Sequence, residues 1–214
     1  MANIVMTGGN QGIGYYFAKQ ALNDGHCVAV LDKKTDCLEK LSQHFPDSLL
    51  YYQVDVREDR QIHMAITDII RKFHHIDIAI HNACLCPFGK EIDTDISAFQ
   101  NIFDVNYYGA LRLSKNILPY MLARQTGKII FTSSGVGVTG FPGITPYASS
   151  KGALETLAKC LNLEYAAQGI SFHLFHPPLP VPYLRPLCQF LRDLWLIRRR
   201  LVQDWQNISS RNAL

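Results

Sequence analysis

The chain has 214 residues, 48% of them hydrophobic, enough to bury a core as one folded unit, and its 14 glycines and 10 prolines fit neither collagen nor disorder. The net charge of +3 is concentrated after residue 184, where six arginines face two aspartates, so the body of the chain offers no basic surface for nucleic acid. No run of about 18 apolar residues occurs, which excludes a membrane-spanning helix.

The first residues run straight into Ile4-Val5-Met6-Thr7 with no charged-then-apolar leader, so a cytoplasmic location is expected. Short apolar runs predict strands over 3–7, 27–32, 48–54, 77–81, 128–133 and 171–176. Helical periodicity predicts helices near 12–24, 35–44, 58–74, 97–125 with a break around Asn106, and 147–167. Apolar strands alternating with helices imply an α/β architecture, a doubly wound parallel sheet covered on both faces, with six strands. Beyond residue 176 the run His176-Pro177-Pro178-Leu179-Pro180-Val181-Pro182 excludes helix and central strand, because proline removes donors and restricts its neighbours. A last helix is expected from Pro186 to about Gln206. The expected organisation is one dinucleotide-binding and catalytic domain, 1–182, with a helical tail, 183–214, packed on it.

A glycine-rich turn, Thr7-Gly8-Gly9-Asn10-Gln11-Gly12-Ile13-Gly14, lies between the first predicted strand and the first predicted helix. Missing side chains at Gly8, Gly12 and Gly14 let backbone approach a pyrophosphate, and the following helix offers free N–H groups. Asp32 closes the second strand, twenty residues past Gly12. A carboxylate there can accept hydrogen bonds from ribose hydroxyls and repels a 2′-phosphate, which favours NAD. Lys33 and Lys34 keep NADP as the alternative. Asp55-Val56, after the third strand, is placed to bracket an adenine, or else the acid simply caps its loop.

Tyr147 and Lys151, at i and i+4, share one helix face, and Ser134 stands thirteen residues upstream. An ammonium beside a phenol is expected to lower its pKa and suit it to general acid–base work. Ser134 would donate to the reacting oxygen. Lys151 can also hold the nicotinamide ribose, and an irregular turn at Asn106 would open a backbone carbonyl to water.

On these residues the chain resembles the short-chain dehydrogenase/reductase family, through Thr7 to Gly14, Asp55, the run His81-Asn82-Ala83-Cys84, and the set Asn106, Ser134, Tyr147 and Lys151. The resemblance spans residues 3 to about 178. It implies a Rossmann fold, hydride transfer with NAD or NADP, cofactor contacts from Asn82, Ala83 and Pro177, and homodimers built on the long helices. His81 departs from an asparagine and Cys84 from a glycine of that pattern. Pro178 replaces a glycine, and Pro182 stands where a threonine usually follows. Family members generally carry a seventh strand; no apolar strand with a glycine-rich ending follows residue 182, so that strand is expected to be missing.

The expected function is therefore an NAD(P)-dependent oxidoreductase acting on a small-molecule ketone or secondary alcohol. The apolar residues Val136, Val138 and Phe141 point to a hydrophobic substrate. A non-catalytic dinucleotide-binding or interaction protein derived from a shortened family member is the alternative. In the tail, Leu187, Phe190, Leu191, Leu194 and Trp195 follow helical spacing beside several arginines. Such a helix can cover the cleft or the sixth strand, form a partner surface, or rest on an anionic membrane. The six cysteines include only one close pair, Cys84-Leu85-Cys86, without zinc-site spacing, and no metal site is expected.

Overall fold

The computed structural model describes residues 1–177. Residues 178–214 carry the expectations for the Pro178 and Pro182 positions, the final helix and the missing seventh strand; all of these lie outside the described residues.

Every residue of β1 (Asn3–Thr7) is buried, as a strand covered on both faces requires. Helix α1 (Gly12–Asn23) leads to β2 (Cys27–Asp32), α2 (Asp36–Ser42) and β3 (Leu49–Gln53). The chain then crosses through α3 (Asp59–Phe73) to β4 (Ile78–His81), and on through α4 (Ile96–Phe103), a π-helical turn (Asp104–Tyr108) and α5 (Gly109–Arg124) to β5 (Gly127–Thr132). The one-turn helix α6 (Val136–Thr139) and the long α7 (Thr145–Tyr165) precede β6 (Ile170–Phe175). The strands form one parallel sheet in the order β3-β2-β1-β4-β5-β6. Each predicted strand is present within two residues of its expected bounds, and the helix break falls on Asn106.

Strand alternation sorts the core into two layers. Val5, Ala29 and Leu31 join one cluster with Ile62, Ile66 and Ile69 of α3, Leu113 and Ile117 of α5, and Leu154 and Ala158 of α7. Their neighbours Ile4, Met6, Val28 and Val30 are equally buried but stand outside that cluster, and α1 packs on β1 and β2 with Phe17, Ala18, Ala21 and Leu22 buried. Each of the large side chains contributes about 1.5–3 kcal/mol by leaving water.

The consequence for function is positional. In a parallel sheet all C-terminal strand ends lie on one edge, and strand order reverses between β1 and β4. Ligands of such folds bind at that reversal. Thr7 pairs in register with both Leu31 and His81, so the ends of β1, β2 and β4 are level at the crevice.

Candidate active site

At the end of β1, Gly8 has φ +72°, and its N–H donates to the Leu31 carbonyl at 2.9 Å. A Cβ there would stand 2.5 Å from the Ala83 nitrogen, and one on Gly14 would stand 2.1 Å from the Gly8 carbonyl oxygen. These two glycines let three backbone segments close on one another. Gly12 differs: its φ is +59°, and a Cβ would meet nothing within 4 Å. Space therefore stays open over the start of α1, whose N-cap Gln11 is extended and makes no side-chain cap. The free N–H groups of that first turn, with Ile13 among its residues, and the open face at Gly12 together fit a phosphate cradle.

The neighbouring polar groups are mostly committed to bracing. Asn10 donates its backbone N–H to Asp32 Oδ2 at 2.9 Å, while its side chain donates to Asp36 at 2.8 Å and accepts from the Cys37 and Leu38 N–H groups. The Asn10 side chain thus caps α2, and its main chain orients Asp32. Asp32 Oδ1 accepts the Lys34 N–H at 3.1 Å, leaving lone pairs on both oxygens for further donors.

Asp55 accepts from Arg57 Nε at 3.0 Å and Nη2 at 2.5 Å, with Lys33 Nζ 3.4 Å away, and Arg57 beside it holds the carboxyl well below the usual range. Val56 is buried in the core and faces Gly109. The Asp55 contacts are those of a loop cap, and the adenine-side reading of Asp55-Val56 stands as a proposal.

Thr7 is fully buried. Its hydroxyl accepts from the Asn82 and Ala83 N–H groups and meets His81 Nδ1 at 2.9 Å. With both acceptor positions of that oxygen filled, the hydroxyl proton goes to His81, which puts the imidazole proton on Nε2. Asn82 then laces three strand ends, donating to the Gly8 carbonyl at 2.7 Å and accepting from the Thr132 hydroxyl at 3.2 Å.

His81 Nε2 makes no hydrogen bond, although the backbone of Val105 and Asn106 partly compensates it; burial drives the imidazole pKa down to about 3. His173 on β6 is lowered to about 4, again mainly by burial. Both are neutral when folded, whereas in the unfolded chain they take protons below about pH 6.5. The unfolded state then binds more protons, so this contribution to stability is full above pH 6.5 and is lost as pH falls toward 3–4. Urea midpoints measured at pH 7.5 and pH 5 should differ by roughly 2–4 kcal/mol of stability, and His81→Asn should flatten that slope.

The π-helical turn falls at the predicted break, and its asparagine clamps a loop. Asn106 is fully buried; its Oδ1 accepts the Leu85 N–H at 2.8 Å, and its Nδ2 donates to the Leu85 carbonyl at 3.0 Å and to Ser150 Oγ at 2.9 Å. Ser150 in turn donates to the Tyr147 carbonyl at 2.7 Å. A single asparagine thereby joins the loop after β4 to the first turns of α7. Sequence reasoning missed Ser150, although its place three residues after Tyr147 is the spacing of a helical back-bond.

Tyr147 and Lys151 do come together: the Lys151 amine lies over the tyrosine ring, 5.4 Å from its centroid. Ser134, two residues past β5, interacts with the phenol. The expected lowering of the phenol pKa is overturned. Burial raises it, the Cys84 thiol adds to the rise, and Ser134 only partly opposes it. The amine is 1% exposed, with its own pKa lowered by burial, and it donates to the Thr132 carbonyl at 2.6 Å. A cation taken out of water and turned to a carbonyl does not offset the cost of burying a phenolate. Tyr147 is consequently held protonated, the form that gives a proton to a carbonyl oxygen.

Cys84 and Cys86, read in the sequence as a close pair without zinc-site spacing and a departure at residue 84, are exposed free thiols near Tyr147 and Lys151. Pro177 ends the described chain just beyond β6.

The family profile described as short chain dehydrogenase matches residues 2–180. The chain belongs to that family. The 3-ketodihydrosphingosine reductase of Bos taurus is 30% identical over 185 residues, covering 83% of this chain and 56% of that protein. The chain thus spans little more than half the length of this relative. Among solved structures, an NAD+-bound xylitol dehydrogenase is 26% identical with a TM-score of 0.78, covering 82% of this chain and 69% of that one. ElxO with NADP bound is 27% identical with the same TM-score, covering 83% and 73%. The sheet and its flanking helices are those of a Rossmann-type short chain dehydrogenase.

Proposed function

We propose that this short chain dehydrogenase is an NAD(P)-dependent oxidoreductase acting on a ketone or secondary alcohol, with Tyr147 as general acid and base. The observation that carries the reading is the shared edge: the glycine turn and the braced Tyr147–Lys151–Ser134 cluster both sit at the C-terminal ends of the parallel strands. Bound nicotinamide would supply or accept the hydride. The backbone around Gly12 and Ile13 would hold its pyrophosphate, Asp32 the adenosine ribose, and Asn82, Ala83 and Pro177 would flank the nicotinamide end. Lys151, with two donors left after Thr132, would hold the second ribose. Tyr147 gives its proton to the substrate oxygen, Ser134 donates a second hydrogen bond to it, and Asn106 keeps the intervening loop and helix in register.

Asp32 supports NAD as the preferred cofactor, with NADP as the alternative. Calorimetry with NADH and NADPH tests this, and failure to bind either would overturn the enzymatic reading. Asp32→Ala should shift preference toward NADPH by about tenfold or more, since it removes the hydroxyl acceptor and the charge that repels a 2′-phosphate.

A hydrophobic substrate is supported by the loops bordering Tyr147. Gly89 N–H donates to the Gly143 carbonyl at 2.9 Å, joining the two loops, and Phe88, Ile92, Val138 and Phe141 are all exposed on them. Similarity to a 3-ketodihydrosphingosine reductase points the same way. A carbonyl panel containing 3-ketodihydrosphingosine beside short polar ketones tests it; faster turnover of the polar compounds would count against an apolar substrate. A homodimer through the long helices, α4–α5 and α7, belongs to the same proposal, supported on the first of these by an outward cavity of about 740 Å³ lined by Phe99, Phe103, Tyr108 and Arg112. Sedimentation velocity of the full chain measures it. The free thiols Cys27, Cys37, Cys84, Cys86 and Cys160 suit a reducing, cytoplasmic setting. Among the described residues no helix is long and apolar enough to cross a membrane.

A further inference from the structure

One carboxylate at the same edge of the sheet serves neither the glycine turn nor the Tyr147 pair. Glu155 lies on α7 one turn after Lys151, and its side chain is 13% exposed. Its Oε1 accepts the Ser133 hydroxyl at 2.7 Å and lies 2.7 Å from His176 Nε2. Ser133 is the first residue beyond β5 and precedes Ser134; His176 is the first beyond β6 and precedes Pro177. One oxygen on the helix that carries Tyr147 and Lys151 is therefore bound to both strand ends.

The fold has other means of holding these elements. β5 and β6 pair without interruption from Gly127↔Ile170 to Thr132↔Phe175, Ser133 N–H donates to the Phe175 carbonyl at 2.7 Å, and Leu154 and Ala158 bury α7 in the core. What the carboxylate adds lies past the end of that ladder, where regular pairing stops and the site begins. Hydrogen bonds to an ionised, largely buried acceptor are the strong ones, and two donors converging on one oxygen fix direction as well as distance.

We propose that Glu155 is a positioning residue, its carboxylate setting Ser134 through Ser133, and Pro177 through His176, against Tyr147 on α7. The proposal rests on the oxidoreductase reading. Its two arms lead to different halves of the site: Ser134 touches the reacting oxygen, while Pro177 flanks the nicotinamide end. The arms are therefore separable by kinetics.

The test uses the full chain and Ser133→Ala, His176→Phe, Glu155→Ala and Glu155→Gln. For each, calorimetry gives the Kd of whichever of NADH and NADPH the unaltered chain binds. Steady-state rates are taken with the panel ketone it reduces fastest, and melting temperatures are recorded. Ser133→Ala should lower kcat about tenfold with Kd within about twofold. His176→Phe should weaken Kd about fivefold, with kcat at saturating cofactor within about twofold. Glu155→Ala should show both losses, and Glu155→Gln, which keeps an acceptor oxygen, should recover most of each. If the two single-arm variants move the same parameter together, or if all losses track melting temperature, Glu155 is only a structural link and the proposal is wrong. Should Glu155→Ala fail to fold, the single-arm variants still decide. An unaltered chain that binds neither cofactor overturns the underlying reading instead, and one that binds while all four variants match it overturns the Glu155 role alone.

Discussion

Replacing Tyr147 by phenylalanine should cut turnover by about a thousandfold while leaving cofactor affinity within about twofold, since a positioned general acid contributes 10²–10⁴ in rate and little to binding. The substitution removes one oxygen and no ring. The ring stays over the Lys151 amine, and the main-chain carbonyl still accepts from Ser150, so the brace through Asn106 survives. The melting temperature should accordingly stay within a few degrees. Steady-state rates on the most active panel ketone, with calorimetry on the same samples, check both halves. Loss of cofactor binding in this variant would show that the hydroxyl holds structure rather than chemistry. Because burial and the nearby Cys84 thiol raise the phenol's pKa, the unaltered enzyme should keep its acid protonated through neutral pH, and the rate of ketone reduction should not fall before alkaline pH.

The second large effect is expected in the glycine turn, where two substitutions of the same kind should fail differently. Gly14→Ala puts a methyl group 2.1 Å from the Gly8 carbonyl oxygen and 2.7 Å from Asn82 Nδ2, the two atoms that hydrogen-bond to each other at 2.7 Å. Neither is the loose end of a flexible chain. The turn must open, the lacing of β1, β4 and β5 by Asn82 goes with it, and a loss of about 3 kcal/mol or more is expected, as for overpacking of backbone. That corresponds to a melting temperature lower by about 6–12 °C. Gly12→Ala meets no atom within 4 Å, so it should cost only the about 1–2 kcal/mol of a left-handed alanine. Its methyl group instead occupies the space proposed for phosphate, and cofactor affinity should fall about a hundredfold while the fold persists. Thermal melts and calorimetry on the pair separate a damaged scaffold from a blocked cradle. Equal affinity in Gly12→Ala and the unaltered chain would place the pyrophosphate elsewhere.

Much of the scaffold was legible because it is written in local pattern. The six strands stand out as apolar runs, and Pro146 near the start of α7 and the faltering periodicity at Asn106 mark real boundaries. The pairing of Tyr147 with Lys151 follows from helical spacing alone. The partners of two polar side chains did not follow. Asp55 reads as an adenine-side acid or a loop cap, and only the structure shows that Arg57, two residues on, turns its guanidinium back to take the carboxylate. Asn10 reads as part of a phosphate turn, yet its amide caps α2, whose first residue lies 26 positions later.

What the sequence by itself determined is the parallel α/β scaffold, the glycine turn and the pairing of Tyr147 with Lys151, because residue periodicity and the steric needs of glycine act within a few residues. The tertiary structure decided the electrostatics. Whether Lys151 acidifies Tyr147 depends on how far both are withdrawn from water and on the Thr132 carbonyl that accepts the amine's hydrogen bond, and that carbonyl sits nineteen residues away. The convergence of Ser133 and His176 on Glu155 is likewise invisible until β5, β6 and α7 are packed. Burial and long-range partners set these energies, and neither is a property of any short stretch of chain.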